Sequence, residues 1–397
     1  MEDFIEGYLA WVRERVLGRL VAARLAVASL FFVNGMLFAT WVSRIPAIEQ
    51  QRGLSHATLG LALLLLAFGA MISMPVAGAL CVRFGSAKVC GIGILAYCAF
   101  LPLVSLAGDA WVFALCLFLF GIAHGSVDVA MNAQAVQVER KYRRPIMSSF
   151  HALFSIGGLS GAASGGLIAA LGWKPPMHFF VVAVAMGVLS VIALPHLLPT
   201  VEARTAGART FALPSRALIG VGVIALCIMM GEGAMADWSA VYLHRIVQTS
   251  EGVAALGYAA FSIAMATGRI VGDRVIARFG PENLVRAGGG LAATGLLVAL
   301  LMPSPVFVLA GLACVGAGFA TIVPMAFSAA GNARDVSPGV AIASVTTMGY
   351  LGFLLGPPLI GFLAQGVGLR MALGVIVLTS VFPILLRSAL RREEPQL

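Results

Sequence analysis

Long apolar segments follow one another along almost the whole chain, and short stretches with charged or turn-forming residues separate them. A helix needs about 20 apolar residues to cross the hydrocarbon core of a bilayer. Of the 397 residues, 60% are hydrophobic and 11% are charged, which is more apolar surface than a water-soluble fold of this size buries. The sequence therefore predicts an all-α membrane protein with twelve transmembrane helices. These helices are predicted at 20–46, 57–82, 88–107, 110–139, 145–171, 176–197, 216–246, 254–277, 284–302, 305–330, 338–365 and 369–389.

Basic residues concentrate on one side of the predicted helices. With the N-terminus placed in the cytoplasm, the cytoplasmic ends and loops hold 21 of the 26 Lys and Arg residues. The opposite side holds the other five, which are Arg44, Arg52, Lys174, Arg245 and Arg370. By the positive-inside rule, this imbalance predicts a multi-pass protein of the inner (cytoplasmic) membrane with both termini in the cytoplasm. It also accounts for the net charge of +9 without a nucleic-acid partner.

The two halves of the chain share a pattern at one constant offset. Shifting the second half back by 195 residues places Arg278-Phe279-Gly280 on Arg83-Phe84-Gly85. The same shift places Gly352, Gly356 and Gly361 on Gly157, Gly161 and Gly166. One offset that serves two distant places indicates an internal repeat. We therefore expect two six-helix bundles related by a pseudo-two-fold axis along the membrane normal, a plan that many secondary transporters share.

A polar stretch at 199–215 has the composition of a flexible cytoplasmic linker and separates the two halves. The first 19 residues interrupt every apolar run with charges and carry no cleavage site of a signal peptide. They are interpreted as a short interfacial helix or, equally, as a disordered cytoplasmic leader. The predicted divisions are the leader at 1–19, an N-terminal bundle at 20–198, the linker at 199–215, a C-terminal bundle at 216–390 and a cytoplasmic tail at 391–397.

The fourth predicted helix carries a polar stripe within apolar sequence. His124, Asp128 and Asn132 are four residues apart, so a helix places them on one face. Counted from Glu139, Asp128 lies about 16 Å into the membrane at 1.5 Å per residue. A carboxylate at that depth costs about 2.5–3.5 kcal/mol or more and normally faces a cavity or a partner. Two interpretations stay open: a structural Asp that is hydrogen-bonded inside the bundle, or a group that binds protons or a ligand, with His124 sharing its proton.

Other polar residues fall in the interior of further predicted helices. Glu232 lies about 24 Å into the seventh helix and Asn34 lies midway along the first. Asp237 and Trp238 follow Glu232 by about one and a half turns, and Trp238 either stacks on a ring-shaped ligand or belongs to an interfacial aromatic belt. His151, about two turns into the fifth helix, either relays protons or is a hydrogen-bonded packing residue. The third, ninth and twelfth helices carry no ionisable residue in their cores, which is typical of lipid-facing supports.

The loop after the second predicted helix contains the motif Gly78-Ala-Leu80-Cys-Val82-Arg83-Phe84-Gly85-Ser-Ala-Lys88. It resembles the G-x-L-x-D-R-x-G-R-K signature of the major facilitator superfamily, with Val82 at the acidic position. A related cluster at the cytoplasmic end of the eighth helix comprises Arg269, Gly272, Asp273, Arg274, Arg278 and Gly280. Arg269 and Asp273 can pair with each other or with helix ends. We expect gating contacts at Gly78, Arg83, Gly85, Lys88 and the second cluster. Because Val82 replaces the acid of the first motif, we expect Asp273 to carry more of the gating role. The alternative is that these basic residues only anchor the helix ends on the cytoplasmic side.

Three short stretches resemble the fucose-permease-like branch of that superfamily. They are Phe150-His151 ahead of the glycine-rich run Gly157 to Gly166, Asp128-Val-Ala-Met-Asn132, and Gly231-Glu232. The resemblance implies that helices one, four, seven and ten line a central cavity. The chain departs from that branch in the first helix, where Asn34 stands in place of an acid. The substrate contacts expected from this resemblance are Asn34, Asp128, Asn132, Glu232, Asp237 and Trp238. The expected proton-coupling groups are Asp128, Glu232, His124 and His151.

The polar stripe and the resemblance together predict a secondary active transporter that works by alternating access and couples a small polar, sugar-like solute to protons. The rival prediction is proton-driven efflux of lipophilic compounds, which the many Met and Phe residues and the missing first-helix acid favour. A membrane-embedded enzyme would need a nucleophile with a base or a metal cluster, and neither occurs at recognisable spacing. A non-transporting sensor stays open from sequence alone. We expect no cofactor and no metal, a lipid bilayer around the protein, and a monomer.

Overall fold

The computed structural model describes residues 2–53, 56–199, 216–333 and 336–390, and the regular secondary structure of these residues is helical throughout. The helices before residue 200 are α1 (Glu2–Ser43), α2 (Ile45–Arg52), α3 (His56–Phe84), α4 (Ser86–Leu106), α5 (Ala110–Tyr142), α6 (Met147–Ala170) and α7 (Pro175–Ala193). Those after it are α8 (Arg216–Arg245), α9 (Glu251–Phe279), α10 (Pro281–Leu301), α11 (Pro305–Phe319), α12 (Ile322–Gly331), α13 (Pro338–Val367), α14 (Leu369–Ala372) and α15 (Gly374–Leu385).

Helices occupy all twelve of the predicted apolar segments, and within the described ranges ten spans are long and apolar enough to cross a membrane. One of the ten is Pro305–Gly331, which combines α11 and α12 over 27 residues. Pro324 explains the break between these two helices, because proline lacks the N–H that would bond to the carbonyl of Ala320 and its ring crowds that carbonyl. Helix α9 and the shorter apolar stretch Leu369–Leu385 fall outside the ten. The C-terminal half of α9 is rich in charged residues, and this lowers its hydropathy.

Helix α1 runs from Glu2 to Ser43 without a break. The segment expected to be a separate leader therefore shares one helix with the first span, whose apolar part is Gly18–Ser43. The predicted linker lies almost wholly outside the described residues, which resume at 216, and the predicted tail at 391–397 lies outside them as well.

The offset found in the sequence also relates the bounds of the helices. Helices α3 and α9 end at positions that differ by 195, and so do the first and last residues of α4 and α10. A glycine with positive φ joins the two helices in each half, with φ of 87° at Gly85 and 75° at Gly280. Other residues rarely adopt this backbone conformation, so glycine allows one helix to follow another with a single residue between them. The corresponding connections in the two halves are therefore built in the same way.

The chain divides into two compact units. The first comprises Met1–Ile146 and Leu153–Ala203, and the second comprises Met147–Ala152 and Arg204–Leu397. In the first unit, α5 packs against α3 and α4, and α7 packs against α4 and α1. In the second unit, α8 packs against α13, and α11 packs against α9 and α10. The beginning of α6 thus belongs to the second unit, although the repeat assigns this helix to the first half of the chain.

Close helix approach in the first unit depends on Gly157 of α6. A Cβ at this position would lie 2.1 Å from the carbonyl oxygen of Phe32 in α1, far inside van der Waals contact. Its equivalent in the repeat, Gly352 of α13, faces the carbonyl oxygen of Leu226 in α8, and a Cβ there would lie 2.2 Å away. Glycine allows the two backbones to touch at both positions, as small residues do in many membrane proteins.

We expect Gly157→Ala to destabilise the protein by about 1–3 kcal/mol, because the added methyl group forces α6 away from α1. Gly158→Ala is a matched control on the same helix, since a Cβ there meets nothing within 4 Å and alanine favours a helix over glycine by about 1 kcal/mol. Thermal unfolding of the purified protein in detergent should give a lower melting temperature for Gly157→Ala only. Equal melting temperatures of the two variants would contradict the close approach.

Candidate functional site

The polar stripe lies on α5, in the interior of the first unit. His124 is 4% exposed, Asp128 is 9% exposed and Asn132 is completely buried. Helices α3, α4 and α1 all pack against α5. These neighbours surround the stripe with protein, so the carboxylate of Asp128 is enclosed rather than turned outward.

Asn34 of α1 is joined to the stripe through His124. Its side-chain oxygen lies 3.0 Å from Nδ1 of His124, and its amide nitrogen donates to the sulfur of Met131 at 3.7 Å. Because an amide oxygen only accepts, Nδ1 of the imidazole is the donor in this bond. The ring of Phe38 stacks on the imidazole, with centroids 5.2 Å apart. Two residues that the sequence singled out separately, on helices α1 and α5, therefore form one hydrogen-bonded pair.

The side-chain amide of Asn132 contacts Asp128 twice, once at normal hydrogen-bond length and once at a longer distance. Its Nδ2 donates to the backbone carbonyl of Asp128 at 2.8 Å and reaches the carboxylate Oδ1 at 3.4 Å. Oδ1 of Asn132 is buried and has no hydrogen-bond partner in the part of the chain that the structure describes. A buried acceptor without a donor costs about 1–3 kcal/mol. A protonated Asp128 or the hydroxyl of a bound molecule would supply the missing donor.

Tyr97 of α4 belongs to the same group, although the third predicted helix was expected to be a lipid-facing support. Its side chain is completely buried, and its ring centroid lies 5.4 Å from that of His124 and 4.4 Å from that of Phe120. Its hydroxyl has no hydrogen-bond partner among the described residues. The expectation for the third helix fails at this position because α4 packs against α5, and an isolated tyrosine in an apolar run was the only signal in the sequence.

The second unit contains a buried charged cluster of its own. Oε1 of Glu232 in α8 lies 3.6 Å from a terminal guanidinium nitrogen of Arg269 in α9. The two side chains are 19% and 9% exposed, respectively. His151 stacks on the ring of Phe327 in α12, with centroids 5.6 Å apart. Glu232 and Arg269 form a pair of opposite charges, and the sequence did not assign Arg269 to this pair.

Asp273 of α9 binds the start of α6. The backbone N–H of Ser149 donates to its carboxylate, with both oxygens 3.2 Å from the nitrogen. This N–H belongs to the first turn of α6, where backbone donors have no acceptor within the helix, and a negative charge there is favoured by the helix dipole. The sequence left two options for Arg269 and Asp273, pairing with each other or with helix ends. In the structure Asp273 binds a helix end, whereas Arg269 contacts Glu232.

The other residues of the two motifs lie in the C-terminal parts of α3 and α9 or at the start of α4. Arg83 and Arg278 are exposed, and each lies over the ring of the phenylalanine that follows it, 5.0 and 5.4 Å from the centroid. Gly272 faces Ser148, whose hydroxyl oxygen would lie 2.5 Å from a Cβ at that position. Lys88 and Arg274 are exposed and Gly78 is buried. The exposed basic residues are consistent with anchoring, and the tight contact of Gly272 accompanies the bond made by Asp273.

Asp237 and Trp238 lie farther along α8 than Glu232. Asp237 is exposed. Trp238 is half-buried, and its ring lies beside Gly361 of α13, where a Cβ would be 3.3 Å from the nearest ring atom. This packing places the tryptophan over a small residue of a neighbouring helix. The expected contact of both residues with substrate stays a prediction.

Two buried polar residues near the end of α5 were missed in the sequence. Nε2 of Gln134 donates to the hydroxyl of Ser86 at 2.9 Å and to the carbonyl of Leu198 at 3.0 Å, and its Oε1 accepts from the N–H of Leu198 at 3.1 Å. Glu139 accepts from the N–H of Ile146 at 2.9 Å and closes the connection to α6. Both residues tie backbone segments to α5. The partners of Gln134 lie 48 and 64 residues away along the chain, and no local pattern reveals them.

The chain matches the family model of the Major Facilitator Superfamily over residues 26–336. It is 39% identical over 376 residues to the uncharacterized transporter y4wD of Sinorhizobium fredii, covering 94% of this chain and 100% of that protein. Among solved structures, it is similar to the transporter FucP in the outward conformation, with a TM-score of 0.80, 16% identity and coverage of 94% and 100% of the two chains. A structure of the E. coli fucose:proton symporter FucP gives a TM-score of 0.76, 17% identity and coverage of 93% and 98%.

These matches confirm the resemblance to the superfamily, and the solved structures of FucP share its fold. The family model covers most of the chain, and y4wD is similar along its whole length. The structures with low identity show a shared fold and no more. Since the members of this family are transporters, the protein is a multi-pass membrane transporter and not an enzyme. The chain belongs to the major facilitator superfamily.

Proposed function

We propose that the protein is a secondary active transporter that works by alternating access and couples a small polar organic solute to protons. The observation that carries this proposal is the carboxylate of Asp128, which is buried on α5 and, among the described residues, receives one long contact, 3.4 Å from Asn132. A buried carboxylate with so little compensation is expensive when charged, whereas the protonated form carries no charge and donates a hydrogen bond. Proton binding therefore changes the free energy of enclosing the site, and such a difference is what coupling requires.

The groups near Asp128 suit a solute that is rich in hydroxyl groups. Asn132 offers a buried acceptor, Tyr97 offers a hydroxyl, and the rings of Tyr97 and Phe38 offer flat apolar faces. The similar protein FucP is a fucose:proton symporter, which supports a sugar-like solute here. We include the remaining residues expected from the sequence in the proposed substrate and proton sites. They are Asn34, Glu232, Asp237 and Trp238 for substrate, and Glu232, His124 and His151 for protons.

We propose twelve spans in total, with α9 and the pair α14 and α15 added to the ten. The buried charge of Arg269 in α9 is opposed by Glu232, which lowers the cost of enclosing it in a membrane. The stretch Leu369–Leu385 reaches about 26 Å as helix, which is close to the thickness of the hydrocarbon core. An even number of spans leaves both termini on one side, and the basic residues favour the cytoplasmic side of the inner membrane. In this proposal the protein acts as a monomer.

The contact of Asp273 with the start of α6 is the proposed gate. It holds the first turn of α6 to α9 through a charge-assisted hydrogen bond, and in this proposal the bond breaks and re-forms during each transport cycle. Gly272 permits the close approach beside it. In the first half Val82 stands where the superfamily motif has its acid, so that motif offers no carboxylate there.

We expect Asp273→Ala to lower the melting temperature of the purified protein, since loss of a helix-capping acceptor costs about 1 kcal/mol. Asp273→Asn keeps an acceptor without the charge and should lie between Asp273→Ala and wild type. Asp237→Ala is the stability control, because Asp237 is an exposed acid. If the contact is a gate, both Asp273 variants also change the rate of solute exchange in liposomes. An exchange rate and melting temperature equal to those of wild type would argue against the gate.

We expect Asp128→Asn to abolish solute-coupled proton movement in proteoliposomes that contain a pH-sensitive dye, while counterflow exchange of the solute continues. The amide keeps the size and polarity of the side chain but exchanges no proton. Asp109→Asn is a matched control on the same helix: Asp109 is exposed and caps α5 by accepting from the N–H groups of Trp111 and Val112, and asparagine caps equally well. Unchanged proton flux in Asp128→Asn would remove Asp128 from the mechanism.

The same vesicles distinguish the proposed function from efflux of lipophilic compounds. Proton movement driven by a panel of sugars and sugar derivatives supports the proposal. Proton movement driven by lipophilic dyes, together with no response to any polar solute, would replace it with efflux.

A further inference from the structure

We infer that Arg269 and Glu232 form a carboxylate-binding subsite in the second unit, and that the transported solute carries a carboxylate. The inference deepens the proposed transport function and rests on it. The sequence motif grouped Arg269 with gating residues, and only its position against Glu232 indicates a ligand.

Arg269 lies deep within the membrane part of α9. It precedes the end of this helix at Phe279 by ten residues, which corresponds to about 15 Å. An arginine at such depth is costly, and charged residues of this kind normally pair with one another or mark the path of a substrate or ion. Packing alone does not explain the residue, because an apolar side chain fills the same space without that cost.

The contact between Arg269 and Glu232 is looser than the contact that a guanidinium group can make. The distance of 3.6 Å between the nitrogen and the oxygen exceeds hydrogen-bond length. A guanidinium group holds a well-placed carboxylate by two parallel hydrogen bonds of about 2.7–2.9 Å. Glu232 keeps 19% of its side chain exposed, so its carboxylate has room to withdraw. The pair is therefore arranged to exchange an internal carboxylate for one carried by a ligand.

The charges around Arg269 favour an anion over a neutral molecule. Helices α12, α13 and α15 also pack against α8, and their sequences contain no charged residue. Asp273, one turn along α9, is engaged by the start of α6. A ligand carboxylate that replaces Glu232 at the guanidinium group keeps this buried cation neutralised, which a neutral solute does not do.

One guanidinium group beside one acid fits a monocarboxylate. A hydroxylated solute with a single carboxylate, such as a hexuronate or an aldonate, satisfies both this subsite and the class of solute proposed above. Arginine suits such a ligand better than lysine, since its planar fork matches the two oxygens of a carboxylate.

The test is a set of binding measurements on the purified full-length protein in detergent, by thermal shift and calorimetry. Galacturonate and galactose are a matched pair of probes that differ by the carboxylate, and gluconate and lactate extend the panel. Wild type should bind at least one carboxylate probe, about tenfold more tightly than its neutral counterpart. Glu232→Gln should bind that probe about tenfold more tightly than wild type, because the competing internal acid is gone. Arg269→Lys should bind it about tenfold more weakly, because an ammonium group cannot donate two parallel hydrogen bonds to the carboxylate.

A single substitution leaves one buried charge without its partner and could itself impair folding. The double variant, Glu232→Gln with Arg269→Gln, is the control for this effect. It removes both charges together and leaves no buried charge unpaired, so it should melt near wild type and bind no carboxylate. The inference is overturned if no carboxylate probe binds wild type or Glu232→Gln, or if the double variant binds carboxylates as wild type does.

These measurements need no proton gradient, so they separate the subsite from the proposed coupling. Asp109→Asn, which changes only the exposed cap of α5, should bind the carboxylate probe as wild type does. Proton-coupled transport of a neutral sugar that is unaffected in the double variant would leave the proposed function standing and remove the carboxylate subsite.

Discussion

A polar group in the core of a bilayer has to find its partner inside the protein, because no water is present there to bond with it. Each unit follows this constraint. In the first unit, the imidazole of His124 donates to Asn34 and the amide of Asn132 donates to the backbone of Asp128. In the second, Glu232 opposes the charge of Arg269. These pairs determine which faces of α1, α5, α8 and α9 turn inward.

The polar groups around Asp128 are less completely hydrogen-bonded than Gln134, which holds the fold. Gln134 makes three short hydrogen bonds that tie α4 and the end of the first half to α5. Near Asp128, by contrast, the carboxylate receives one long contact, and an amide oxygen of Asn132 and the hydroxyl of Tyr97 lack partners in the described structure. Such unpaired groups lower the stability of the folded protein until a proton or a ligand supplies the missing hydrogen bond. That difference in free energy between empty and occupied states is what a transporter requires.

The repeat kept the helical framework of the two halves and allowed their charges to diverge. Helix bounds and the positive-φ glycines recur at an offset of 195 residues. The charged residues do not recur: the offset relates Asp128 to Val323, Arg269 to Met74 and Glu232 to Leu37. Backbone packing imposes the same requirement on both halves, since glycine is needed wherever two helices touch. A buried charge lowers the stability of the fold and is kept only where a function requires it. Each half therefore has its own buried charged residues.

The amino-acid sequence by itself determined the membrane class, the positions of the helical segments, the offset between the halves and the polar stripe on α5. Backbone groups in lipid must bond within their own helix, so apolar runs and four-residue spacing report directly on these features. Only the tertiary structure decided the partners. It paired Arg269 with Glu232, brought Tyr97 to His124, and broke α11 from α12 at Pro324. Partners depend on how each helix is rotated against its neighbours. That rotation arises from contacts between residues far apart in the chain, which no local period records.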